Sequence, residues 1–209
     1  MRDTIQEAYM SILAQELEEG KIKNAALAVA TAGALLGGSV QQTAHNTSMP
    51  NKNIIQSIKK PAQKTSDDLK KVILAKFNVD DSKANQIVHA AIKHSHPVFP
   101  QAQHLLALAG IESSFNDKAV SKLKNDPARG LTQIRPMVWN IPPKELSTID
   151  GQIKHASNIL KTYHEKLGDP DKAIAAYNIG ITNLNLGKKR DAAQRYLTKF
   201  KNELNRYQD

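Results

Sequence analysis

Cysteine is absent from the 209 residues. Its absence excludes disulfide scaffolds, thiolate zinc sites and cysteine nucleophiles, and leaves the redox compartment open. Aromatic residues are only 5% of the chain, too few rings for an extended base-stacking surface of the kind that holds single-stranded nucleic acid. The longest apolar run, Ala25 to Val40, has sixteen residues and includes Gly33, Gly37 and Gly38. A membrane-spanning helix needs about 20 apolar residues, so this run is short for a span. No Walker glycine loop, Rossmann fingerprint or Gly-x-Ser-x-Gly elbow occurs, which removes the signatures of nucleotide-binding and serine-hydrolase sites.

What remains is ordinary globular material, 40% hydrophobic and 23% charged. The length suits one domain with a substantial appendage. The formal net charge is +9, which favours a polyanionic partner: nucleic acid, anionic lipid or an acidic cell-wall polymer. That charge is unevenly placed. Residues 1–20 set Arg2 against Asp3, Glu7, Glu16, Glu18 and Glu19, whereas residues 50–76 carry seven lysines against Asp67 and Asp68.

Along the chain, Ile5, Ala8, Tyr9, Ile12, Leu13 and Leu17 mark an amphipathic helix. With the Ala/Gly-rich run it forms a first segment, residues 1–40. The acidic residues ahead of that run do not make the positive region of a secretory signal. Packing or membrane association of residues 25–40 stays open. Residues 41–66, rich in Lys, Pro and Asn, read as a mobile linker. Helical spacing resumes at Asp67, so residues 67–209 are assigned to one domain. Its expected helices are Val72 to Phe77, Ala84 to Ile92, one from about Gln101, Ile149 to Leu167, Pro170 to Tyr177, and a last one carrying Ala193, Tyr196, Leu197, Phe200, Leu204 and Tyr207. No long alternating strand and no internal repeat is found. The fold class expected is mainly α, with little or no β.

The chemistry gathers around Leu105, Leu108, Ala109 and Glu112, which share one side of a helix. A carboxylate in phase with an apolar stripe is partly desolvated, which raises its pKa and keeps a proton available near neutral pH. His89, His94 and His96 have spacings that do not put ligands on one helical face, and no His-Glu-x-x-His is present. They are read as surface histidines, and no metal or other cofactor is expected. Lys188-Lys189-Arg190 is read as a solvated helix start, so no nucleic-acid partner is expected.

Four blocks occur in order: Glu112-Ser113-Ser114-Phe115, Gly130-Leu131-Thr132-Gln133, Ala176-Tyr177-Asn178-Ile179-Gly180 and Arg195-Tyr196-Leu197. Together they resemble the catalytic domain of soluble lytic transglycosylases, lysozyme-like enzymes that cleave peptidoglycan. The resemblance spans about residues 85–200. It implies a lysozyme-like helical domain and assigns Glu112 as the single catalytic acid/base. It also implies that Ser121, Gln133, Tyr177, Asn178 and Tyr196 contact or support the sugar, with Tyr177 approaching the acid. The matched blocks contain no second carboxylate beyond Asp117 and Asp126, both read as solvated turn residues. The chain departs from the family pattern at Thr132, where Met is usual, at Ile179, where Ala is usual, and in a longer segment from Ser121 to Gly130.

The implied substrate is the peptidoglycan glycan strand in the bacterial envelope, opened to a 1,6-anhydro product. Two alternatives remain: a goose-type lysozyme-like hydrolase, and a non-catalytic glycan-binding virion or envelope protein. Residues 1–66 are the expected region of contact with virion or secretion-apparatus proteins, because Leu17-Glu18-Glu19-Gly20 resembles the cleavage pattern of phage head proteases.

Overall fold

A computed structural model describes residues 64–208. The first amphipathic segment, the Ala/Gly-rich run and nearly all of the linker lie outside the described residues. Within them the chain forms eight α-helices and one short 3-10 helix, and no strand. The mainly helical expectation holds. The only extended pairing among the described residues is two isolated bridges, Val120 with Arg129 and Arg129 with Ile134, which pinch the loop beside the site.

Helix α1, Ser66–Lys76, starts at a capping box. The Thr65 side chain accepts from the Asp68 amide while Asp68 accepts from the Thr65 backbone. Leu69 and Ile73 are its buried positions. The expected set Val72, Leu74 and Phe77 is only partly buried and Ala75 is exposed, because this short helix meets the core along the neighbouring i, i+4 row. Helix α2, Asp81–Lys93, is capped by Asp80 and buries Ala84, Ile87, Val88 and Ala91 as its spacing predicts.

Helix α3, Ala102–Ser113, is the centre of the domain. Residues 105 to 110 are all buried, so the expected one-sided stripe is a helix enclosed on every side. Helix α2 and the C-terminal helix α8, Arg190–Asn205, pack against it. A short helix α4, Pro136–Trp139, and the 3-10 turn Pro143–Leu146 occupy the stretch that shows no periodicity in sequence.

Helix α5, Ile149–Leu167, begins where Thr148 Oγ1 accepts from Gly151 N at 3.1 Å, and ends at Gly168 in the left-handed region. It packs on α2 and on α6, Pro170–Ile179. Helix α6 is nucleated by Asp169, whose side chain accepts from the amides of Asp171 and Lys172, with Pro170 in the first turn. Helix α7, Ile181–Asn185, and a turn through Lys189 lead into α8. One hydrophobic core joins these helices, from Leu69 and Ile73 through Leu105 to Leu108, Ile153 and Leu160 to Phe200 and Tyr207. Among the described residues no helix is long and apolar enough to cross a membrane.

Two groups of residues differ from their sequence reading. Asp126 is buried, not solvated: its Oδ1 accepts from Met137 N at 3.1 Å and its Oδ2 lies 3.3 Å from Arg135 Nε. Asp117 is mostly covered and pairs with Lys83 at 2.8 Å. Among the histidines, His89 is exposed, but His94 is partly buried against Asp150 at 2.9 Å, and burial pushes His96 down to about 4. A turn position in sequence does not report how much neighbouring helix covers it.

Candidate active site

The site is built where α3 ends. Its last turn leaves the core, and Ser114 and Phe115 adopt left-handed conformations at φ 54 and φ 63. Phe115 then returns to the interior, edge-on to Phe77 with ring centroids 4.8 Å apart. The helix end is therefore fixed, and Glu112 is held at the floor of a groove of about 430 Å³. The groove is walled by Gln133, Trp139, Tyr163, Tyr177, Asn178 and Asn183, with Arg135 and Lys189 at its lining. Glu112 is the one carboxylate among these residues.

Burial raises the Glu112 pKa above the ordinary glutamate value. The Tyr196 hydroxyl, which donates to Glu112 Oε1, and the Lys199 charge oppose that rise. The balance is a carboxyl group biased toward its neutral, proton-bearing form. Tyr196 cannot ionise in compensation, since desolvation and the Glu112 carboxylate drive its own pKa well above the ordinary phenol value.

Gln133 is set by the loop that carries it. It sits at φ 49, and its Nε2 donates to Gly130 O at 3.0 Å and Ala119 O at 3.3 Å. The side-chain carbonyl is the half left for a ligand. The loop itself hangs on a residue that sequence reasoning missed, the buried Gln152 of α5. Gln152 Oε1 accepts from Leu131 N at 2.7 Å, and its Nε2 donates to Leu146 O at 2.8 Å and Asp117 O at 3.0 Å. Gly130, at φ +72, makes room for it: a Cβ there would lie 2.2 Å from Gln152 Cδ. The glycine of the Gly-Leu-Thr-Gln block is thus required both by backbone conformation and by contact.

The structure distributes the expected residues unevenly. Gln133, Tyr177 and Asn178 line the groove with Glu112. Tyr177, however, donates to Thr132 O at 2.9 Å, and it is Tyr196 that bonds the acid. Ser121 is outside the groove lining. Its hydroxyl accepts from Ala128 N at 2.8 Å and clasps the long loop between them. The unusual Thr132 is buried beneath the groove, while Ile179 forms part of its wall.

Trp139, Tyr163, Asn183 and Lys189 were not foreseen as wall residues. Trp139 and Tyr163 meet edge-on with centroids 5.3 Å apart. The single tryptophan, in a stretch without periodicity, was the available signal for Trp139. Lys189 stands inside the basic run read as a solvated helix start. Among the described residues no three metal-ligating side chains come together.

Neither curated proteins nor solved structures give a match to this chain. Residues 100–200, from the start of α3 into α8, match the family model of the Transglycosylase SLT domain, which is consistent with a soluble lytic transglycosylase-type domain there and supports peptidoglycan cleavage of that general kind in the cell envelope.

Proposed function

We propose that the chain is a peptidoglycan lytic transglycosylase that opens the β-1,4 bond between N-acetylmuramic acid and N-acetylglucosamine and leaves a 1,6-anhydro ring. The observation that carries this reading is the single desolvated carboxyl group, Glu112, in a groove with no second carboxylate in its lining.

Neutral Glu112 donates its proton to the glycosidic oxygen as the bond from muramic C1 to that oxygen breaks. The departing sugar leaves with a hydroxyl group, and positive charge develops at C1. Glu112, now a carboxylate and still held by the Tyr196 hydroxyl, accepts the proton of the muramic C6 hydroxyl as O6 attacks C1. The proton returns to the residue that gave it, so one carboxyl serves both halves and no water is consumed. The O6 nucleophile is tethered to the reacting ring, which gives it an effective concentration far above that of a free reactant. Gln133 and Asn178 hold the ring, and Ser121 acts through the loop that it closes.

The hydrolytic alternative needs a second carboxylate to position water. Asp117 is occupied by Lys83, and Asp126 by Met137 N and Arg135. Neither lines the groove, which favours the anhydro product. Mass spectrometry of digested glycan tests the reading: chains ending in 1,6-anhydro-N-acetylmuramic acid support it, and chains ending in reducing muramic acid would make the protein a lysozyme. Delivery to the wall by a phage particle or a secretion machine is assigned to residues 1–66. Measuring the mature N-terminus by mass spectrometry checks that assignment.

A further inference from the structure

Beside the groove lies a second hollow of about 520 Å³, formed by α6, α7, the turn after α7 and α8. Its floor is apolar: Ile179, Leu184 and Leu186 line it, and Leu186 is 62% exposed. Its rim is cationic. Lys172, Lys188 and Arg190 line it, and none of the three has an ion-pair partner among the described residues. The one carboxylate in the lining, Asp171, is engaged by Lys201. Ile179 lines both the hollow and the groove. The chain that separates them gives Asn183 and Lys189 to the groove, and the run from Leu184 to Lys188 together with Arg190 to the hollow.

We propose that this hollow binds the stem peptide of the glycan strand that occupies the groove, through carboxylate contacts to Lys172, Lys188 and Arg190 and methyl contacts to the apolar floor. The inference rests on the transglycosylase reading of the groove. A glycan without peptides carries little charge, so three exposed cations around an apolar floor have nothing to recognise in the sugars themselves. Stem peptides are short, rich in alanine and acidic through their free carboxylates, and each begins on a muramic acid ring. A site one side chain away from the cleavage groove is where such a branch would lie. Opposite charge at an exposed rim contributes chiefly to orientation and association rate, so the hollow selects peptide-bearing strands and sets which muramic acid enters the groove.

The test uses the full chain, the surface variant Lys172→Glu/Lys188→Glu and a milder Lys172→Ala/Lys188→Ala variant, with folding checked by circular dichroism. Substrates are peptide-bearing glycan and the same glycan stripped of peptides by an amidase. A fluorescein-labelled synthetic stem peptide serves as the direct binding probe. The charge-reversed variant should cleave peptide-bearing glycan about threefold to tenfold more slowly, each exposed contact being of modest strength. Its rate on stripped glycan should be unchanged, and its affinity for the labelled peptide should fall by a similar factor. The alanine variant should lie between it and the parent.

Equal loss on both substrates, no loss on either, no binding of the labelled peptide by the parent, or equal binding of an anionic wall polymer that lacks peptide would each overturn the proposal. Should the parent cleave neither glycan, the reading of the groove fails. The peptide titration then still decides whether the hollow is a peptide site.

Discussion

Tyr196 on α8 donates a hydrogen bond to Glu112 Oε1 at the end of α3, across 84 residues of sequence. The bond steadies the carboxylate and opposes the rise in pKa that burial imposes on Glu112. Removing the hydroxyl with Tyr196→Phe should therefore raise the Glu112 pKa further. The alkaline limb of the kcat/KM profile reports loss of the protonated acid, and it should move to higher pH by about one unit, the scale of a hydrogen bond to a charged group. A limb that stays in place while the rate falls would show that Tyr196 only packs.

Glu112→Gln separates the chemistry from the fold. Turnover should drop by about two to four orders of magnitude, the usual contribution of a positioned acid–base group. Stability should move the other way. Because the folded-state pKa of Glu112 is raised, its favourable contribution is complete below the unfolded glutamate pKa and is lost as pH rises through the folded value. Glutamine avoids that loss, so the variant should melt higher near neutral pH, by about 2–4 °C per kcal/mol relieved. The two proteins should converge in acid. Calorimetry across that range checks the sign.

Gly130→Ala places a methyl group 2.2 Å from Gln152 Cδ at a backbone with φ +72. Left-handed strain and displacement of the buried amide should together cost about 2–4 kcal/mol. Urea unfolding should show this as a lower midpoint. Activity should fall as well, since Gln133 rides on the same loop. Gln152→Leu should reproduce both effects by leaving Leu131 N, Leu146 O and Asp117 O without their partner.

Two partly buried histidines define an acid-sensitive window. Desolvation pushes His104, packed against Phe99 and Phe200, and His96 each to about 4. Their neutral forms contribute stability that is complete above the unfolded histidine pKa of about 6.5. It is lost as pH falls through the folded value. Each group contributes a slope of up to about 1.4 kcal/mol per pH unit between those limits. His104→Gln should flatten that slope by about one group's share, as read from denaturant unfolding at a series of pH values.

The domain boundary yields a prediction of its own. Sequence periodicity places the start at Asp67, but the capping box of α1 needs Thr65. A 64–209 fragment should fold and retain muralytic activity. A 67–209 fragment should be less stable by about 1 kcal/mol, the usual worth of an N-cap. A folded but inactive 64–209 fragment would assign part of the site to residues 1–63.

Much of the helical frame was legible in sequence because amphipathic spacing and capping residues act locally. The run from Ile153 to Tyr163 and the Asp169-Pro170 start of α6 need nothing beyond their own neighbours to declare themselves. Glu112 was singled out by the sequence blocks, not by its phase with Leu105, Leu108 and Ala109, since α3 is enclosed on every side. The sequence blocks also named Gln133, Tyr177 and Asn178, which the fold brings to one groove with Glu112.

Which tyrosine reaches the acid was a tertiary decision. Tyr177 and Tyr196 both have helical neighbours that suit packing, and only the crossing of α8 over α3 gives the contact to Tyr196 and leaves Tyr177 with Thr132. The burial of Asp126, the occupation of Ser121 by Ala128 N and the clasp of Gln152 on three separate loop groups likewise depend on partners distant in sequence. Periodicity records which side of a helix avoids water. It carries no record of which helix will cover that side, and hydrogen bonds between elements are set by that covering.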